Sequence, residues 1–254
     1  LAMMAHPDDV EFTCAGTLIL LKKAGWNVHI ATMTPGDLGT VKLTRAQISR
    51  VRTAEAAASA KLLGATYTCL GLGDLTVIYG VEPKRRASVV IRETRPDLLI
   101  LHSPECYMAD HTESVRIGRE AAFASSVPNW KAKLNGRSAK PCDHLPTILY
   151  ADPFENVDPR GRRVPAPFMV DITSVIAFKE KMLACHESQR SWMRQQHGED
   201  EYLEMVRRNG ADRAKDWKSP KVKYAEGFTQ HLGHGFPKED VLTPALGKSL
   251  VAKG

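Results

Sequence analysis

The sequence lacks any long apolar run, and this absence excludes several classes of protein. Of its 254 residues, 43% are hydrophobic and 25% are charged. No apolar stretch approaches the ~20 residues that a membrane-spanning helix needs, and the opening LAMMA has no charged lead of the signal-peptide kind. We therefore predict no membrane span, a cytoplasmic location and one domain over residues 1–254. Because Leu1 already lies in an apparent strand, we expect a few residues to precede it.

Cysteine is also scarce, and its arrangement argues against two kinds of stabilised fold. The chain has five cysteines, which are odd in number, widely spaced and never paired as CxxC. This pattern excludes a disulfide framework and a thiolate zinc site, and it fits a reducing compartment. The five are Cys14, Cys69, Cys106, Cys142 and Cys185.

The chain has no glycine-rich phosphate motif and no concentrated basic patch. Neither GxGxxG nor a Walker pattern follows the first strand, which disfavours a nucleotide-binding domain. The 35 Lys and Arg residues give a formal net charge of +6 but are scattered, with enrichment only around PKRR and DPRGRR. This distribution is typical of a solvated surface, so we predict no nucleic-acid partner. Arg160, Arg162 and Arg163 are candidates to contact an anionic conjugate.

Strand and helix patterns alternate along the first half of the chain. LAMMA, VHIATMT and TYTCLGLG predict strands, and DLLILHS predicts a strand buried on both faces. Helical spacing is found in DVEFTCAGTLILLKKAGWNV, where Gly25 ends the pattern, in TRAQISRVRTAEAAASAKLLG, which ends at Gly64, and in ASVVIRETRP. The alternation predicts an α/β fold with a Rossmann-like, doubly wound and mostly parallel sheet that has helices on both faces.

The second half of the chain is less regular. TILYAD predicts a strand, MVDITSVIAFKEKMLACHESQRSWMRQQ a short strand and one long helix, and GEDEYLEMVRRNGADRA a further amphipathic helix. Two stretches rich in Pro, Gly and polar residues, SVPNWKAKLNGRSAKPCDHLP and FENVDPRGRRVPAP, are candidate loops over a site.

Histidine and aspartate residues gather after two of the predicted strands. His6, Asp8 and Asp9 follow LAMMA, and Asp110 and His111 lie in the loop after DLLILHS. The carboxyl ends of parallel strands meet at one sheet edge, where open α/β folds bind their ligands. We therefore expect these two loops to converge.

Two imidazoles and one carboxylate are ligands that suit Zn²⁺, and a catalytic zinc typically has three protein ligands. We predict that His6, Asp9 and His111 bind one zinc ion per chain. Asp8 would then be free to act as a general base toward a water molecule that the metal activates. Taken alone, HPDD could instead be a turn followed by an aspartate helix cap.

The same residues carry a family resemblance. AHPDDVEFTCAGTL resembles the opening motif of the PIG-L/LmbE-like zinc deacetylases, which remove N-acetyl groups from N-acetylglucosamine conjugates. The resemblance covers nearly the whole chain, because further stretches match in order. These are RVRTAEAAASAKLLGA, LGLGD, RPDLLILHSP, ADHTESVRIGREA, CHESQ and KYAEGF.

The resemblance implies an LmbE-like fold and an enzyme that acts on an N-acetylated sugar conjugate, and it agrees with the ligand and base assignments above. It also implies that Arg52 reaches into the pocket to hold substrate, whereas the residues alone favour a solvent-facing Arg52 paired with Glu55. Asp110 is expected to orient a neighbouring group by hydrogen bonding. His186 and Glu226 match family positions, and a packing role is at least as well supported for each as a role at the site. A second copy of the chain is a further partner that the sequence leaves open.

One departure from the family pattern lies at Met108. Relatives have His-Pro-Asp-His where this chain has Met108-Ala109-Asp110-His111. Losing one group that stabilises the transition state can cost on the order of 10²–10³ in rate, unless Tyr107, His186 or a water molecule replaces it. The alternative function is therefore a metal-binding family member with weak or no deacetylase activity, which serves as a binding or regulatory protein.

Overall fold

The computed structural model describes residues 1–197 and 201–253. Its strands form one sheet in the order β3-β2-β1-β4-β5-β7-β6-β8. The pairings among β1 to β5 are parallel and those of β6, β7 and β8 are antiparallel. The predicted doubly wound, mostly parallel α/β sheet is confirmed. The strands are β1 (Ala2–Met4), β2 (His29–Thr32), β3 (Thr66–Cys69), β4 (Leu98–Leu101), β5 (Thr147–Ala151), β6 (Phe168–Asp171), β7 (Ala225–Gln230) and β8 (Val251–Lys253).

The predicted helices are present with two breaks, and the short helix at Leu242–Leu246 was not predicted. The first predicted helix is interrupted at Cys14, whose backbone (φ −143°, ψ 5°) is not helical, and the long helix after β6 is interrupted around His186. The start of the GEDEYLEM helix, residues 198–200, lies outside the described residues. The helices are α1 (Asp9–Thr13), α2 (Ala15–Lys23), α3 (Arg45–Leu63), α4 (Val81–Thr94), α5 (Ala109–Ser125), α6 (Ile176–Leu183), α7 (Glu187–His197), α8 (Glu201–Ala214) and α9 (Leu242–Leu246). No helix in these ranges has the length and apolar character to cross a membrane.

Helices cover both faces of the sheet because neighbouring strand residues point to opposite sides. Ala2 and Met4 of β1 belong to a core cluster that includes side chains of α2, α6 and α8. Met3, between them, belongs to a second cluster with α4 and α5. The sheet is therefore buried on both sides, and only its edges and strand ends are left for a site.

A buried ion pair ties the antiparallel part of the sheet to the start of α2. The Glu226 carboxylate on β7 accepts hydrogen bonds from the Lys179 ammonium (2.6 Å) and from the backbone N–H groups of Gly16 (2.8 Å) and Thr17 (2.7 Å). A Cβ atom at Gly16 would lie 2.8 Å from Glu226 Oε1, so this approach requires glycine. Glu226 thus packs α2 against β7.

Removing this carboxylate should destabilise the protein strongly. Glu226→Ala would leave Lys179 charged and buried without its partner, so we expect the free energy of unfolding to fall by about 3–5 kcal/mol. Urea denaturation measures this change. Glu82→Ala, which removes an exposed partner of Arg86 one helical turn away, is the matched control and should change stability by less than about 0.5 kcal/mol. Equal effects of the two substitutions would contradict the packing role.

Candidate metal centre

The candidate centre lies at the carboxyl ends of the central parallel strands. β1 has β2 on one side and β4 on the other, so the winding of the sheet reverses beside it. The chain leaves β1 into the turn that holds His6 and Asp9, and it leaves β4 toward His111 on α5. This is the switch point at which open α/β sheets bind ligands.

Three side chains meet at this point. His6, Asp9 and His111 each offer one ligand atom, and these atoms all lie within 4.8 Å of one another. His6 Nδ1 is 3.3 Å from Asp9 Oδ2, and His111 Nε2 is 3.6 Å from Asp9 Oδ1. No other group of this kind occurs in the described ranges. The cluster could bind a metal ion.

The second nitrogen of each histidine has a partner that fixes the ring. His6 Nε2 is 3.0 Å from Asp110 Oδ2, and the Asp110 carboxylate also accepts the Leu75 (2.7 Å) and Val77 (3.2 Å) backbone N–H groups. His111 Nδ1 is 3.1 Å from Cys106 Sγ. Metal-binding histidines usually have such a partner on the nitrogen that does not face the ion. The donor set therefore fits a metal.

The charges around the cluster favour a cation. Burial alone would lower the pKa of His6, but the Asp110 and Asp9 carboxylates outweigh it and raise that pKa to about 10. Burial, with His102 alongside, lowers the pKa of His111 to about 3. Despite its burial, Asp9 has a pKa well below its ordinary value because His111 and His102 lie next to it. The Asp9 carboxylate is therefore ionised, and each histidine would bind a metal ion as a neutral ring, His6 after it loses a proton.

Asp8 lies beside the cluster without belonging to it. It precedes α1 with a left-handed backbone (φ 96°), and its side chain makes no cap hydrogen bond. Its Oδ2 instead accepts a hydrogen bond from the Tyr202 hydroxyl (2.7 Å) and lies 3.3 Å from Arg52 Nη2. Burial, together with the charge of Asp9, raises the pKa of Asp8 despite the opposing effect of Arg52. A carboxylate of raised pKa is suited to accept a proton.

Arg52 lies behind this carboxylate rather than in solvent. Only 5% of the residue is exposed, and its Nη2 donates a hydrogen bond to the Pro7 carbonyl (2.7 Å). Glu55, its expected partner on the residues alone, accepts hydrogen bonds from Ser188 instead. The guanidinium also explains Gly36, where a Cβ would approach it to 2.5 Å. Contact between Arg52 and substrate stays a prediction.

Two side chains at the centre were not predicted as site residues. His102 stacks on His111 with ring centroids 4.1 Å apart, accepts a hydrogen bond from the Ala5 N–H (3.0 Å) and lies 3.1 Å from Asp9 Oδ2. The position of His102 directly after a buried strand was the sequence signal that could have indicated it as a site residue. Tyr202 is 194 residues from Asp8 in sequence, and no local pattern indicates their contact.

The position of the missing family histidine lies at the start of α5. Met108 is the N-cap residue of α5, and the neighbouring Tyr107 lines the cavity at the cluster. The Tyr107 ring meets His111 edge-on at 5.3 Å between centroids, and 69% of the residue is exposed. His186 is fully buried, with Nε2 3.3 Å from Glu11 Oε1.

Two of the three arginines of the DPRGRR loop pair with aspartates. Arg162 pairs with Asp158 at 2.6 Å, and Arg163 binds Asp212 (2.5 Å) and Asp216 (2.9 Å). These ion pairs largely balance the positive charge that the sequence suggested for an anionic ligand.

The first half of the chain is similar to a known family. Residues 1–122 match the PIG-L family model, described as GlcNAc-PI de-N-acetylase. The chain is 27% identical over 195 residues to the diacetylchitobiose deacetylase of Thermococcus kodakarensis, which covers 74% of this chain and 69% of that protein.

Two solved structures have the same fold. The N,N'-diacetylchitobiose deacetylase of Pyrococcus horikoshii superposes with a TM-score of 0.75 at 22% identity, over 94% of this chain and 87% of that one. The 4-carboxy-2-hydroxymuconate hydratase of Pseudomonas putida KT2440 superposes with a TM-score of 0.71 at 20% identity, over 94% of this chain and 98% of that one.

The hydrogen bond between Asp110 and His6 should contribute to metal affinity. We expect Asp110→Ala to weaken zinc binding by about 10–100-fold, because the His6 ring loses the partner that orients it. Competition with a chromophoric chelator measures the dissociation constant. Asp110→Asn retains an acceptor oxygen and should bind more tightly than the alanine variant, and Glu120→Ala on the same helix is the control. Unchanged affinity in a folded Asp110→Ala protein would refute this role.

Proposed function

We propose that this protein is a zinc-dependent hydrolase that removes an N-acetyl or other N-acyl group from an amino sugar or N-acetylglucosamine conjugate. The observation that carries the proposal is that the side chains of the HPDD segment take two different positions. His6 and Asp9 meet His111 in the cluster, while the Asp8 carboxylate stays outside it. Hydrolysis by an activated water needs both an ion and a separate base. The family domain and the homology to a deacetylase support the same reaction.

His6, Asp9 and His111 would hold the zinc ion. The ion would supply Lewis-acid chemistry, lowering the pKa of a water molecule and polarising the acyl carbonyl. Asp110 and Cys106 would keep the two imidazoles turned toward it, since each contacts the nitrogen on the far side of its ring. His102 would restrain the His111 ring by stacking.

Asp8 would move the proton. It accepts one from the attacking water as the new C–O bond forms, and it returns that proton to the amide nitrogen as the C–N bond breaks. The products are then acetate, or another carboxylate, and the free amine. The raised pKa of Asp8 suits both transfers, because the group must gain and lose a proton in one cycle.

Tyr202 and Arg52 would position this base. Both contact Asp8 Oδ2, so Oδ1 would be the oxygen that receives the proton of the water. Asp8, Tyr202 and His111 line one cavity, so the base and the cluster face a common space.

Substitution should distinguish the proposed base, Asp8, from a proposed metal ligand, His6. Asp8→Ala should abolish acetate release and retain about one zinc per chain, whereas His6→Ala should lose zinc because it removes a ligand. Elemental mass spectrometry of protein purified without added metal gives the zinc content, and a free-amine assay gives turnover. Equal zinc loss in both variants would contradict the assigned roles. A wild-type protein that takes up no zinc would remove the basis of the whole proposal.

The Tyr202 hydroxyl should affect turnover without affecting metal. Tyr202→Phe removes one hydrogen bond to a charged group, so we expect kcat to fall about tenfold to a hundredfold with unchanged zinc content. Tyr224→Phe, which removes a hydroxyl that contacts Arg207, is the matched control. Wild-type kcat in the Tyr202 variant would show that Asp8 is oriented by other contacts.

Met108 favours the alternative of a metal-binding protein with weak or no activity. A turnover assay distinguishes this alternative from the proposed hydrolase. Amine release from a panel of N-acetylglucosamine conjugates, above that of the zinc-free protein, would exclude a silent binding protein. Zinc binding without release from any conjugate would favour it.

A further inference from the structure

The cavity at the metal centre has walls of two kinds. Its volume is about 280 Å³. One side is formed by Asp8, Asp9, His102 and His111. Most of the remaining wall is apolar or aromatic, from α1, the turn after β5, α7 and α8, and includes Phe12, Phe154, Trp192, Met193, Tyr202 and Met205.

Three polar groups among these walls already have partners. The Tyr202 hydroxyl donates to Asp8 (2.7 Å), and the Gln189 amide donates to the Gly39 carbonyl (2.9 Å). Asp152 pairs with Arg213 at 2.7 Å. The Trp192 Nε1 atom, by contrast, is buried without a hydrogen-bond partner among the described residues. A sugar ring with several hydroxyls would therefore find few free partners beyond the catalytic groups and Trp192, whereas an apolar group would lose only water.

The cavity is also far larger than an acetyl methyl group requires. Pockets for drug-sized ligands begin at roughly 300 Å³, so this space is enough for a benzene ring or a short alkyl chain. A second cleft of about 390 Å³ shares Tyr107, Pro153 and Phe154 with it and continues outward to Asp158. The hydrophilic remainder of a ligand would have room there.

We propose that this cavity selects an amphipathic substrate, which carries an aromatic ring or an alkyl chain of about six carbons within a few bonds of the scissile amide. The inference rests on the proposed hydrolysis, since the amide must lie at Asp8 and the metal ligands. The apolar group is either the acyl chain itself or the aglycone on the neighbouring carbon of the sugar. Its chemistry is the same in both cases. Met193, Met205 and Trp192 are the specificity-determining residues.

Two matched substrate series determine whether the apolar group is the acyl chain or the aglycone. The first varies the acyl chain of methyl glucosaminide from acetyl to butanoyl, hexanoyl and octanoyl. The second keeps the N-acetyl group and varies the glycoside from methyl to hexyl and phenyl. We expect kcat/KM to rise about threefold to fourfold for each methylene buried, in one of the two series, until the cavity is full. The series that rises identifies the acyl side or the aglycone side.

Variants test whether this cavity causes the preference. Met205→Gln and Met193→Gln keep side-chain length but make the wall polar, and they should flatten the rising series. Glu204→Gln, an exposed change beside Met205 on α8, should leave both the slope and kcat/KM for the short substrate unchanged. A slope that persists in both methionine variants would place the preference elsewhere.

A binding measurement separates this inference from the reaction. Calorimetry compares the binding of N-acetylated hexyl and methyl glucosaminide, and of N-hexanoyl and N-acetyl methyl glucosaminide, to the zinc-loaded Asp8→Asn protein. Tighter binding of an apolar member with no turnover in wild type would support the cavity assignment and overturn the hydrolase. Turnover with flat slopes in both series and no binding preference would overturn the cavity assignment alone.

Discussion

The parallel pairing of β1 with β4 is the constraint on which the candidate centre depends. His6 and His111 are 105 positions apart, and they meet because both strands end at the same edge of the sheet, where Ala2 is in register with Ile100. Apolar burial on both faces holds this pairing, through alternating side chains such as Met3 and Met4. The polar cluster is thus positioned by a hydrophobic core that takes no part in its chemistry. Substitutions in that core would move ligands that they never touch.

The local patterns of the sequence predicted the parallel half of the fold well. Strand β4 is continuously apolar, and α3 ends at Gly64 with a left-handed backbone as the helix-end signal indicates. The breaks at Cys14 and around His186 were not predicted, because the apolar spacing continues across both. Strands β7 and β8 were also missed. The segment AEGFTQ contains a glycine and a buried glutamate, which make a weak strand pattern, and its pairing depends on distant contacts with β5 and β6.

The candidate site, like the fold, was predicted only in part. Ligand-type residues directly after strands could be predicted, since strand ends of a parallel sheet share an edge. The contacts that support Asp8 could not be predicted, because Tyr202 comes from a helix near the other end of the chain. Arg52 shows the same limit: spacing on α3 gave it a solvent-facing position, while the fold buries its charge against the Pro7 carbonyl and Asp8. Long-range polar contacts have no period in the sequence, so they become visible only in three dimensions.

The fold alone does not determine the reaction. A deacetylase and a hydratase both superpose on this chain over 94% of its length, and the difference between such enzymes must lie in the side chains at the strand ends. In this protein those positions hold an aspartate beside the candidate metal-binding cluster, a methionine at position 108 and a largely apolar cavity wall. The first concerns the chemistry, and the last concerns which molecules reach it.

The left-handed backbone at Asp8 has a consequence for the evolution of the protein. A residue other than glycine in such a conformation costs about 1–3 kcal/mol, and here that residue carries the proposed base. Glycine at this position would relieve the strain, but it would leave the buried Arg52 guanidinium and the Tyr202 hydroxyl without the carboxylate that they contact. Because removing one partner of a buried charge pair costs about 3–5 kcal/mol, the loss exceeds the strain. A library screened for heat resistance alone should therefore retain aspartate at position 8 even where no turnover is demanded.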